Sequence, residues 1–319
     1  MTARALFFGT APCAVPALRA LVDDERFDLI AVVSQPASAR GRGRKMQPSA
    51  VAQTARELGL PVETPNNLRD GSGHRLLDHY RPDLCLVIAY GQIIASDLLD
   101  RLPQRWFNLH GSLLPRWRGA APIERAIEAG DTETGMQLMA MEASLDTGPV
   151  YASRSVTIGE HTTTSLTHAL ADLGADLVTG ALYEAFDGNL KPTQQATAGV
   201  TYAHCLTAAE GTIDFLGDAQ VWANRCRAFD PRPGLRCSVV RSTTDNPEAI
   251  KIWAAHVADG DLPSGAPGQI VEIRKKVIVV ACERGHLAIS ELQQCSKRRM
   301  PWSAMRQGFR LAVGDRLIR

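Results

Sequence analysis

Two polar residues two apart, Asn108 and His110, stand in an otherwise apolar run, WFNLH (106–110), and the chain turns just after them at Gly111-Ser112. In a strand, residues two apart share a face. Asn108 and His110 therefore project together, from the C-terminal end of a strand. An imidazole moves protons near neutral pH. A carboxamide can donate a hydrogen bond to a developing oxyanion without titrating. That pair suits attack of an amine on a carbonyl carbon. Leu113, Leu114 and Pro115 follow as a stiff apolar wall. A third candidate is Asp146, in the loop of MEASLDTGPVY (141–151). A carboxylate beside an imidazole orients it and favours its charged form. The structural alternatives are equally simple: Asn108 caps the turn, His110 is a satisfied core histidine, and Asp146 makes an Asx-turn.

Several chemistries drop out. The first strand-to-helix turn, FFGTAPCAVPAL (7–18), has one glycine, not GxGxxG, and no GxxxxGK[ST] occurs, so dinucleotide and ATP dependence are set aside. The Asp-Thr-Gly triplet also marks aspartic proteases, but those are all-β and use two such loops, and only one is present here. Seven cysteines (13, 85, 205, 226, 237, 282 and 295) form no CxxC pair. Several sit in apolar runs, as expected for free thiols in a reducing compartment. No apolar run approaches the roughly 18 residues of a membrane span. The N-terminus enters a strand with no signal-type segment before it. The expectation is a cytoplasmic protein away from membranes.

The elements that must position these residues alternate. RALFFG (4–9), FDLIAVVS (27–34), PVET (61–64), PDLCLVIAYG (82–91) and WFNLH read as strands. VPALRALVD (15–23), SAVAQTARELGL (49–60), GHRLLDHY (73–80), APIERAIEAG (121–130) and a long segment over 162–186 read as helices. TGMQLMAM and VYASRSVTI read as later strands. Apolar strands alternating with helices predict an α/β domain with a parallel, doubly wound sheet. In open sheets of that kind ligands bind at the C-terminal strand ends, where Asn108 and His110 fall.

Polar residues 190–206 lose this periodicity and read as a linker. The division expected is therefore 1–189, linker 190–206, and 207–319. After 207 one helix (217–229) is followed by short β-rich pieces (RCSVV, IKIWAAHVA, GQIVEI, KVIVVAC, HLAISEL) separated by turn residues, which suggests a small barrel. The chain carries net +1, but residues 207–319 hold 17 Lys and Arg against 12 Asp and Glu, and the remainder 18 against 22. A basic last part points to an anionic partner. So does ARGRGRK (39–45), where Arg40, Arg42, Arg44 and Lys45 lie in a glycine-broken loop suited to wrapping phosphates. The clusters Arg274, Lys275, Lys276 and Lys297, Arg298, Arg299 are further phosphate candidates, although such runs also serve as solvated faces.

NLHGSLLPRWRGAAPI (108–123) together with LDTGP (145–149) resembles the formyl-tetrahydrofolate transferase superfamily, and RWRGAAP (116–122) resembles its branch acting on methionyl-tRNA. FFGTAPCAVPAL, QPASARGRGRKMQPSAV, VIAYGQII and RAFDPRPG extend the similarity nearly end to end. The resemblance implies a Rossmann-like catalytic domain followed by an OB-like β-barrel that binds tRNA. It implies transfer of the formyl group of 10-formyltetrahydrofolate, a co-substrate, to the α-amino group of methionine on initiator methionyl-tRNA, in support of translation initiation. It implies a monomer and no metal. Asn108 and His110 would then polarise the formyl oxygen, and Asp146 would pair with His110 and help move the amine proton. Ser112, Leu113, Leu114 and Pro115, with backbone at Ala89, Tyr90 and Gly91, would form the folate site. The loop at 39–45 would enter the acceptor stem.

The chain departs from the family pattern at Gly9-Thr10-Ala11-Pro12, where Gly-Thr-Pro is usual. It also carries Cys205 where a lysine is expected and Arg232 where tryptophan is common. Two rivals stand beside this expectation: a formyltransferase acting on a sugar nucleotide or glycinamide ribotide, and a non-catalytic RNA-binding protein on the same scaffold. A small amine needs neither the basic loop nor the basic barrel, and a degenerate scaffold has no reason to keep Asn108, His110 and Asp146 together.

Overall fold

The computed structural model describes residues 2–40, 43 and 45–319, and the chain divides into two compact units. The first comprises Met1–Pro122, Glu133–Thr157 and Thr167–Ala203; the second comprises Ile123–Thr132, Ile158–Leu166 and His204–Arg319.

The first unit is built on a seven-stranded sheet. Its strands are β1 (Ala3–Gly9), β2 (Phe27–Val33), β3 (Val62–Glu63), β4 (Leu84–Ile88), β5 (Trp106–His110), β6 (Glu133–Ala140) and β7 (Val150–Thr157), in the order β7-β6-β5-β4-β1-β2-β3. The apolar runs explain its centre. All five residues of β4 are buried. Phe8 aligns with Val33 and Val87, and these three join one core cluster with Leu77 and Leu98 from neighbouring helices. Phe7, Val32 and Leu86, of opposite parity, are also fully buried, so the sheet is covered on both faces. The five strands from β3 to β5 run parallel, as expected; beyond β5, β6 runs antiparallel to them, and β7, antiparallel to β6, returns to their direction. The strand order reverses beside β1, which opens a crevice at the C-terminal ends of β1 and β4.

The predicted helix over 162–186 is interrupted. An α-helix over Thr163–Leu177 widens into a π-helical turn at Val178–Leu182 and resumes over Tyr183–Asp187. The Thr179 carbonyl in that turn accepts from the Arg26 guanidinium at 2.5 Å. A π-turn loosens the helical ladder and leaves carbonyls to such outside donors. The basic segment at 39–45 is not wholly a loop. Strands Ser38–Arg40 and Lys45–Gln47 pair antiparallel on either side of it, in the register Arg40 with Lys45. Arg42 and Arg44 lie outside the described residues.

The second unit carries an antiparallel sheet of β8 (Leu235–Arg241), β9 (Thr244–Val257), β10 (Ile270–Ile273), β11 (Ile278–Ala281), β12 (His286–Gln294) and β13 (Arg316–Ile318), ordered β10-β11-β12-β9-β8-β13. Its two ends meet. Ile270 N donates to Asp315 O at 2.8 Å, Leu317 N to Gly268 O at 2.7 Å, and Gln269 bridges Arg316. That closure removes the free edges, as a small OB-like barrel requires. The one helix expected in this region spans Ala219–Ala228, started by Asp218, whose carboxylate accepts from Gln220 N.

Candidate active site

Strand β5 lies between β4 and β6, with Asn108 beside Val87 on one side and Met139 on the other. His110 closes the strand and is 5% exposed; Asn108 is half-buried. The Asn108 carboxamide makes no hydrogen bond to another described residue, so its donors remain available to a ligand. His110 is held. Its Nε2 lies 3.0 Å from the Trp117 carbonyl. A carbonyl only accepts, so Nε2 is the donor there, and in the neutral ring the lone pair falls on Nδ1. Nδ1 faces Asp146 Oδ2 at 3.6 Å, within ion-pair range but beyond a hydrogen bond. The structure thus joins residues 36 positions apart in sequence into a pair that can take up and hold one proton.

Asp146 adopts φ +51, and its Oδ2 accepts from Gly119 N at 2.8 Å. Gly119 itself has φ +122, and a Cβ there would stand 2.8 Å from the Ala203 carbonyl, so only glycine brings this N–H to the carboxylate without strain. Trp117 has φ +64, with the Arg116 guanidinium 4.5 Å from its ring. Trp117 and Gly119 are the site residues that the sequence reading missed. Nothing in the residue types RWRG reveals that the backbone, rather than the side chains, does the holding.

The candidate folate residues divide in two. Ser112 is fully buried and its hydroxyl donates to Arg116 O at 2.7 Å, so it ties the loop together from within. Leu113, Leu114 and Pro115 remain half-buried, and Leu114 N is anchored on Gln137 Oε1 at 2.8 Å. In the other group, Ala89 has φ +44 and Gly91 φ +82. The Tyr90 ring is buried in the core, while its carbonyl accepts from Thr10 Oγ1 at 2.7 Å and Gln35 Nε2 at 3.0 Å. At φ +82 the tight turn beyond β4 favours glycine at position 91, since an L side chain rarely adopts that backbone state. With both lone pairs of Tyr90 O engaged, main chain on either side of it is what a ligand can meet.

The basic residues are dispersed. Lys45 is exposed on its short strand, and Arg40 ends the strand before it. In the second unit Lys275 and Lys276 are exposed in the turn between β10 and β11, while Arg274 pairs with Glu272 at 2.8 Å. Lys297 and Arg298 are exposed, whereas Arg299 is engaged by both oxygens of Asp230 at 2.9 Å and by Glu291 at 2.7 Å.

Comparison with known proteins places this geometry. The family model described as formyl transferase matches residues 3–182, and that described as formyl transferase, C-terminal domain, matches 205–310. A methionyl-tRNA formyltransferase of Magnetococcus marinus is 40% identical over 319 residues, covering 99% of each chain. One of Paracoccus denitrificans is 41% identical, covering 98% of this chain and 99% of its own. Among solved structures, an N-formyltransferase from Helicobacter canadensis in complex with folinic acid and dTDP-3-aminofucose superposes with TM-score 0.67 at 16% identity, over 92% of this chain and all of that one.

Proposed function

The chain belongs to the methionyl-tRNA formyltransferases, enzymes that place a formyl group on the methionine of a charged tRNA, and we propose that Asn108, His110 and Asp146 are its reacting groups. The formyl donor in this proposal is 10-formyltetrahydrofolate, which when bound supplies an electrophilic formyl carbon. The acceptor is the α-amine of initiator methionyl-tRNA. The residues present fit such a donor: the half-buried wall of Leu113, Leu114 and Pro115 suits an aromatic ring system, and Asn108 is half-buried at the end of β5.

Each residue then has a physical task. Asn108 donates a hydrogen bond to the formyl oxygen as negative charge grows there, where a fixed dipole in a half-buried site needs no reorganisation. His110, its Nε2–H pinned to Trp117 O, offers Nδ1 to the proton that the attacking amine must lose. Asp146, with one oxygen fixed by Gly119 N–H, holds the imidazolium that results. The amine's proton is the only one that has to move before the donor nitrogen leaves, and His110 can return it to that nitrogen. The proposal extends to residues 1–189 as the catalytic part, 190–206 as a connector and 207–319 as the tRNA-binding part, with the basic residues at 39–45 and on the barrel meeting phosphates.

The observation that carries the proposal is the 3.6 Å approach of His110 Nδ1 to Asp146, with Nε2 already committed elsewhere. Replacement of His110 by Ala is the test. kcat for formyl transfer to methionyl-tRNA should fall by roughly two to four orders of magnitude, the usual span for a general acid–base group, with tRNA affinity little changed. Turnover near that of the unaltered chain would remove His110 from the chemistry.

A further inference from the structure

We infer that Gln195 and Thr201 are positioning residues for the His110–Asp146 pair, an inference that rests on the catalytic role proposed for that pair. Both lie in the stretch 183–204 that falls between the two family-model matches. From 190 onward its polar, aperiodic sequence predicts a linker. In the structure it runs back along the loop after β5. Arg118 N donates to Thr201 O at 2.9 Å, Ala120 N to Ala203 O at 2.9 Å, and Tyr202–Ala203 pairs parallel with Arg118–Gly119.

Each member of the pair is anchored through this stretch. His110 rests on the carbonyl of Trp117, and the N–H of that same residue donates to Thr201 Oγ1 at 2.8 Å. A tryptophan at φ +64 is an uncommon backbone state that persists only where its surroundings over-determine it. The Thr201 hydroxyl supplies one of the bonds that do so. On the other side, Asp146 at φ +51 presents its carbonyl to Gln195 Nε2 at 2.8 Å, and the same Nε2 donates to Gly148 O at 2.8 Å. Gln195 Oε1 accepts from Arg118 Nε at 3.1 Å and Nη2 at 2.6 Å. Two carbonyls on one end and a guanidinium on the other admit a single orientation of the carboxamide. Arg118 lies between Trp117, which holds the imidazole, and Gly119, whose N–H holds the carboxylate. Gln195 therefore ties the loop bearing Asp146 to the loop bearing the anchor of His110. The separation of Nδ1 and Oδ2 is fixed by a closed ring of bonds, and a loss of about 1 Å of placement costs on the order of a hundredfold in rate.

Thr201→Val keeps the shape and removes the acceptor, Thr201→Ser keeps the acceptor, and Gln195→Ala removes both ends of the brace. Gln195→Glu keeps an acceptor for Arg118 but cannot donate to two carbonyls. With the unaltered chain measured first, Thr201→Val and Gln195→Ala should lower kcat by about ten- to a hundredfold and leave KM for folate and for charged tRNA within about twofold. Thr201→Ser should recover most of the rate, and Gln195→Glu should not. The second readout is the ¹⁵N NMR spectrum of the His110 imidazole, assigned by its loss in His110→Gln. It should show a protonated Nε2 in the unaltered chain, and its nitrogen chemical shifts should move in Thr201→Val and Gln195→Ala. A uniform drop in kcat/KM carried by KM, no recovery in Thr201→Ser, or an unchanged His110 spectrum in both variants would overturn the inference. No formyl transfer by the unaltered chain would instead count against the proposed reaction, and the imidazole spectra would still decide the positioning role.

Discussion

Because a carbonyl oxygen can only accept, the contact between Trp117 O and His110 Nε2 determines which imidazole nitrogen is left for chemistry. Nδ1 faces the carboxylate, so charge on Asp146 matters more than its shape. Asp146→Asn tests this, because an amide oxygen still accepts from Gly119 N–H while the negative charge is gone. kcat should fall by roughly two orders of magnitude or more, with folate binding retained; an Asn variant turning over at the original rate would show that the carboxylate is no partner to the imidazole. At this scale the side chains proposed to react could be picked out as candidates from the sequence, and the structure brings His110 and Asp146 together. Asn108 and His110 announce themselves because a period-two pattern places two polar groups on one face of an apolar strand, and Asp146 because it follows another strand in a Gly-Pro loop. Their anchors were not legible. Trp117 and Asp146 take left-handed backbone conformations for reasons that lie in Gly119, Gln195 and Thr201, and long-range hydrogen bonds leave no periodic trace.

The elements repeat this division. Strands such as β1 and β4 follow from continuous apolar runs, and the barrel strands from short β-rich pieces between turns. The π-turn at 178–182 was hidden, since the arginine that donates to its Thr179 carbonyl lies 153 positions away, and so was the reversed direction of β6 between β5 and β7. The second unit also gathers elements from the middle of the chain. Within it Arg125 pairs with Glu128 at 2.6 Å and with Glu210 at 2.8 Å, and Arg225 reaches Glu128 at 2.9 Å. Burial pushes the Glu210 carboxyl upward, but hydrogen bonds from Arg125 and Thr207 outweigh it and bring it down to about 2. An unfolded glutamate titrates near about 4.3. The folded value is the lower one, so this contribution to stability is complete above the unfolded value and is lost as pH falls from there through about 2. The gap in urea midpoint between the unaltered chain and Glu210→Gln should therefore narrow across that window. A gap that stays constant or widens as the solution is acidified would contradict the assignment.

For the whole molecule, the charge difference along the chain and the closed barrel motivate the proposed division of small-molecule chemistry and macromolecular binding between different parts. The division by sequence into 1–189, 190–206 and 207–319 rests on the change of style, from alternating helices and strands to a β-rich end. It could not show that Ile123–Thr132 and Ile158–Leu166 cluster with the second unit, because helix periodicity says which face is buried and not against what. The central claim is that a formyl group passes from folate to the amine of a charged tRNA at Asn108, His110 and Asp146. Its most direct test is transfer of labelled formyl from 10-formyltetrahydrofolate to initiator methionyl-tRNA, run beside elongator methionyl-tRNA. Label on the initiator species alone, lost in His110→Ala, is the predicted result; folate binding without label on either tRNA would contradict the claim and move the search to another amine.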